Sequence, residues 1–214
     1  MKLALSVAFA IVVALQTASA QVVVDPPERT IRTTKAEVVS MAISPKGDRI
    51  LVGLDKGAEL YDLETGKKIH SFPYNEDGGT AVYHVAFNEN GEYVLLIGHS
   101  GKRVVWAVKG DRPEPSLQQH RWVPDPRAVK AMGLEMSNST FDRFYQQQQL
   151  KIGDHTVQSG KNGMVEVLDP KGESIQKLDP GANKDQHHRA PLLRWEEWLL
   201  TGTDDGRVLF YRVR

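Results

Sequence analysis

The sequence predicts an all-β protein assembled from about four repeated antiparallel sheet units. Three observations carry that expectation. A glycine turn recurs at Gly57, Gly101, Gly163 and Gly206, with spacings of 44, 62 and 43 residues. Apolar residues alternate with a period of two on either side of these turns, the pattern of half-buried strands. No long window shows a convincing helical period; only 128–136 stays open between helix and loop.

In chain order, the first element is a leader. Lys2 is the only charge in the first 20 residues, 3–15 is apolar apart from Ser6, and Ala18-Ser19-Ala20 closes the segment. A positive start, an apolar core and a small-x-small end form a secretory signal, with cleavage expected after Ala20. The apolar run of 13 residues is short for a membrane span, which needs about 20. The mature protein is therefore expected in the periplasm or secreted, with no membrane span after cleavage. Residues 21–35 then supply two strand-forming stretches, Val22-Val23-Val24 and 30–34, separated by Pro26-Pro27.

The repeats follow at 36–80, 81–127, 128–182 and 183–214. Their clearest parts are VVSMAISPKGDRILVGLDKGAELYDLETGKKIHSF (38–72), VYHVAFNENGEYVLLIGHSGKRVVWAVKG (82–110), LKIGDHTVQSGKNGMVEVLDPKGESIQKL (150–178) and APLLRWEEWLLTGTDDGRVLFYRVR (190–214). Each holds two short apolar runs, a glycine turn and a third run ending in a large apolar residue. In the first, Val39, Met41 and Ile43 share one face; Tyr83, Val85 and Phe87 take the matching places in the second. Pro45-Lys46-Gly47-Asp48 and Glu89-Asn90-Gly91-Glu92 are hairpin turns, where Gly or Asn supplies positive φ. The first strand of the third repeat is expected at 144–149. The middle spacing is the same period with an insertion of about 18 residues, 62 against 44; the period itself matches the roughly 40–45 residues of a propeller blade.

At these residues the chain resembles the WD40 repeat family. That family ends its third strand in Trp-Asp after an Asp-Gly type of turn. Here the strand ends read Tyr61-Asp62, Trp106-Ala107, Leu168-Asp169 and Tyr211-Arg212, after Asp55-Lys56-Gly57, His99-Ser100-Gly101, Lys161-Asn162-Gly163 and Asp204-Asp205-Gly206. The resemblance implies a β-propeller of four-stranded blades that acts as a platform for protein or peptide partners, without catalysis or a cofactor. It also implies that an N-terminal strand completes the last blade, whose third strand is 207–213. That pairing could form within one chain, as a four-blade ring, or between two chains, as a homodimer. Four blades leave little wedge angle, which favours the dimer or an open arc.

Composition narrows the function further. Without Lys2 the mature chain carries 26 basic and 27 acidic side chains, so the basic bias of a nucleic-acid binder is absent. With no cysteine, thiolate chemistry and Cys-ligated zinc are excluded. Neither a glycine-rich phosphate loop nor a Gly-x-Ser-x-Gly elbow occurs. The binding candidates are His120, Arg121 and Trp122, in a stretch bounded by Pro113, Pro115, Pro124 and Pro126, and the pair His187-His188. The first three form either a recognition arm or the outer strand of blade two. The histidine pair and Asp204-Asp205 read as solvated loop and blade turn, and no metal is expected. Two alternatives stay open: an exported propeller enzyme of the lactonase or quinoprotein type, and a partial propeller completed by another chain.

Overall fold

The computed structural model describes residues 22–34, 36–74, 81–98, 103–108, 116–121 (backbone only), 147–182 and 184–214. Gly101, Trp122 and the 128–136 stretch lie outside them. The described residues form four separate antiparallel sheets of four strands each, and no sheet closes on itself.

Strand β1 (Arg29–Arg32) precedes blade one. Blade one is β2 (Val38–Ile43), β3 (Arg49–Leu54), β4 (Gly57–Asp62) and β5 (Lys68–Pro73). Blade two is β6 (Val82–Phe87), β7 (Tyr93–Gly98), β8 (Arg103–Ala107) and β9 (Ser116–Arg121). The first hairpin of each is fixed by glycine with positive φ, Gly47 at 72° and Gly91 at 74°. A polar side chain holds each turn: Ser44 Oγ accepts from the Arg49 amide at 3.0 Å, and Asn88 Oδ1 accepts from the Tyr93 amide at 2.9 Å.

Blade three is β10 (Gln149–Ile152), β11 (His155–Ser159), β12 (Val165–Leu168) and β13 (Ser174–Leu178). Its first strand thus starts at Gln149 rather than running over 144–149. A tight turn at Gly153, with φ of 56°, sets the register: Ile152 faces His155 and Gln149 faces Gln158. Blade four is β14 (Leu192–Trp195), β15 (Trp198–Gly202) and β16 (Arg207–Arg212), with β1 as its outer strand.

The closing strand is supplied within the chain. Strand β1 pairs antiparallel with β16, Arg29 opposite Phe210 and Arg32 opposite Arg207, and Val23 bridges Val213 further along. Both N-terminal stretches therefore follow the last strand. This covers an edge whose unpaired amides would otherwise template association.

The apolar residues pack where blades face one another. Blades one and two share a cluster that includes Leu51, Leu60, Phe72, Val85 and Leu96. Blades one and four share Met41, Val52, Trp198 and Phe210. Blades three and four share Val157, Val167, Leu199 and Leu209. A fourth cluster, Leu95, Ile97 and Val105, belongs to blade two alone among the described residues. Strands β2, β6, β10 and β14 are innermost: β2 meets β6 and β14, and β14 meets β10. Among the described residues, no helix is long and apolar enough to cross a membrane.

Candidate functional site

Among the described residues, one rim carries the turns between the second and third strands of blades one, three and four, together with the links that lead into blades one and four. The turns need glycine. Gly57, Gly163 and Gly206 have φ of 150°, 67° and 81°. A Cβ on Gly206 would sit 2.7 Å from Thr33 Oγ1 and 3.0 Å from the Ala36 backbone, so this position admits only glycine.

Two buried ionisable groups tie the rim together. Glu59 on β4 is 4% exposed. Its carboxylate accepts from the Thr34 amide at 3.2 Å, from the Thr34 and Tyr61 hydroxyls, and from Lys68 Nζ at 3.1 Å. Burial opposes its charge, but the hydrogen bonds from Thr34, Tyr61 and Lys68 outweigh it, and the carboxyl lies below its ordinary range. Burial and the bond to Glu59 push the Tyr61 phenol up.

His188 sits at the junction of blades one and four. Its Nδ1 donates to Glu37 Oε1 at 2.8 Å and its Nε2 to the Gly202 carbonyl at 3.2 Å. Only the imidazolium satisfies both acceptors. Burial lowers its pKa, but the bonds to Glu37 and Gly202 and the charges of Glu37 and Asp204 prevail and raise it.

Two openings lie on this rim. One, of about 760 Å³, is lined by Thr34, Glu37, Asp55, Lys56, Glu59 and Lys68 among others. The other, of about 310 Å³, lies between blades three and four and is lined by Lys161, Asn162, Gln186, His187 and Arg189.

The sequence candidates separate accordingly. His187 is exposed and lines the smaller opening. His188, 2% exposed, is a junction residue and not a surface group, so the adjacent histidines do not act together. Strand β9 sets His120 opposite Val104 and Arg121 opposite Arg103, which makes them part of blade two's outer strand; Trp122 lies outside the described residues. Asp205 is held by its own turn, with Arg207 Nε donating to it at 2.8 Å. Among the described residues, no three His, Asp or Glu side chains gather as a metal site. Arg189 was missed because its signal is spatial: it is one arginine in a polar link.

Four-stranded antiparallel blades, with the last completed from the N-terminus, are the arrangement of a β-propeller. No family profile matches the chain. Over 76 residues it is 34% identical to Autophagy-related protein 18 of Saccharomyces cerevisiae, in strains YJM789 and ATCC 204508 / S288c. That match covers 35% of this chain and 15% of the yeast protein, so the chain spans a small part of the curated relatives it matches. Among solved structures it is similar to the β-propeller domain of Cps50 (Swd1) from Myceliophteria thermophila, at 17% identity and a TM-score of 0.38, over 81% of this chain and 51% of that one.

Proposed function

We propose that this chain is an exported, non-catalytic propeller whose turn-bearing rim docks a protein or peptide partner. The observation that carries the reading is the pair of openings on that rim, of mixed polar and apolar lining, at about 760 and 310 Å³, set on a frame whose blades are locked by shared apolar clusters. Loops on a rigid scaffold are where binding concentrates. The buried ionisable groups of the rim, Glu59 and His188, already have internal partners, which favours docking over acid–base work. The leader at 1–20 supports export, and the proline-bounded Trp122 stretch is a second candidate contact.

The test is capture from an envelope fraction by tagged mature protein, with heat-unfolded protein as control. A protein enriched by the folded form alone, and lost on Trp122→Ala or on substitutions along the rim, is the expected result. Equal capture by folded and unfolded protein overturns the docking reading. Intact mass of exported material checks the leader: the chain should begin at Gln21, and Met1 retained in that pool would remove the export assignment.

A further inference from the structure

We infer that the opening between blades three and four is a carboxylate site that takes an acidic side chain from a peptide segment of the partner. This rests on the docking reading above and names the chemistry of one contact. The opening is lined by Lys161, Asn162, Gln186, His187 and Arg189. Two of these are permanent cations, and no acidic residue is among them.

Arg189 decides the assignment. It is half-buried, and its Nη1 is fully buried with no hydrogen-bond partner among the described residues. A desolvated guanidinium donor without an acceptor is costly. Two other charged groups of this rim are satisfied internally: Arg207 binds Asp205 and the Pro180 carbonyl, and Glu59 binds four residues. Arg189 also lines the opening; the planar fork of a guanidinium matches a carboxylate, and a shift of the side chain toward the opening would give Nη1 the acceptor it lacks.

The site is held in place by its two loops. The Gly163 amide donates to the His188 carbonyl at 3.3 Å. Asn162 takes a left-handed conformation, φ 59°. The Asp185 carboxylate accepts from the His187 amide at 2.9 Å, and Asp204 accepts from the Asp185 amide at 2.7 Å. These two acids behind the link temper the positive field, which suits a monoanionic carboxylate better than a phosphate dianion. A volume of about 310 Å³ is at the small end for ligand pockets, roughly 300–1,000 Å³, and admits one acidic side chain with its peptide groups against the Asn162 and Gln186 amides.

The probe is a fluorescein-labelled peptide rich in Asp and Glu, read by anisotropy on the mature protein. Its Asn/Gln counterpart is the control, and inorganic phosphate is the competitor. The expected result is saturable binding of the acidic peptide alone, weakened about tenfold by Arg189→Gln and also by Lys161→Gln, with a loss on raising salt. Lys161 is exposed, so its variant keeps the test valid if Arg189→Gln fails to fold. Unchanged affinity in folded variants overturns the site. Phosphate binding without peptide binding overturns the peptide assignment. Partner capture that persists in both variants leaves the platform standing and removes this site, whereas acidic-peptide binding without any partner capture does the reverse.

Discussion

Glu59 shows how a carboxylate survives on a buried sheet face: Thr34, Tyr61, Lys68 and Ser71 all donate to it. Glu59→Gln turns one acceptor oxygen into a donor that faces donors, so it should lower stability by about 1–3 kcal/mol in urea unfolding. The sign with pH follows. The Glu59 carboxyl lies below its ordinary 4.5 when folded, so its contribution is present above that value and is lost as pH falls through the folded pKa. His188 runs the other way. Its pKa is raised above 6.5, so its contribution is full below 6.5 and is lost as pH rises through the folded value. Wild-type stability should therefore decline above that pH, and His188→Gln should flatten the decline; an unchanged slope in urea midpoints would remove the assigned ion pair with Glu37. Gly206→Val should lose about 1–3 kcal/mol through strain at a left-handed position. The recurring turn glycines were visible in the sequence because a spacing that returns, 44 and 43 residues on either side of a longer one of 62, is a one-dimensional signal. The partners of Glu59 and His188 were not, since Thr34 is 25 residues from Glu59 and Glu37 is 151 residues from His188.

Strands were legible where their own apolar residues mark them and illegible where pairing alone makes them. Strands β3 and β7 are buried almost throughout, and their apolar runs announce them. Strand β10 reads Gln-Leu-Lys-Ile with only Ile152 buried; it exists because β11 pairs with it, and the polar run before it obscured its start. A second glycine series also went unread: Gly53, Gly98 and Gly202, near the ends of the second strands. A Cβ on Gly53 would meet Val82 O at 2.7 Å, and one on Gly202 would meet Val38 Cβ at 2.7 Å. These glycines let neighbouring blades approach, a need invisible until the blades are stacked. The closing strand, by contrast, followed from counting strands, and β1 answers that count. Deleting 21–34 should bare β16 along its length and remove Ile31 from the junction of blades one and four. The truncated protein should aggregate or unfold at lower urea, as read by light scattering alongside the unfolding curve.

Across the whole molecule, shared apolar packing runs from blade two to one to four to three. Blades two and three are neighbours in sequence, yet among the described residues no apolar cluster joins them. A cavity of about 260 Å³, lined by His84, Gln147, Gln149, Leu150 and Arg194 among others, opens there instead. Polar bonds from Gln147 hold that region. Its amide donates to the Met41 carbonyl at 2.7 Å and accepts from the Met41 amide at 3.2 Å, while its own carbonyl accepts from the Leu192 amide at 2.6 Å. One residue thus anchors the start of blade three, by its side chain to the inner strand of blade one and by its backbone to that of blade four. Gln147→Ala keeps the backbone bond to Leu192 and leaves both Met41 groups without their partner. It should lower stability by about 1–3 kcal/mol and loosen blade three first, because that blade is fixed by one apolar junction while blades one and four have two. Hydrogen exchange reads this directly: amides of β11 and β12 should lose protection in the variant while those of β3 and β16 keep theirs. Uniform loss across all four blades would show that the blades unfold as one unit and that Gln147 is no local clamp.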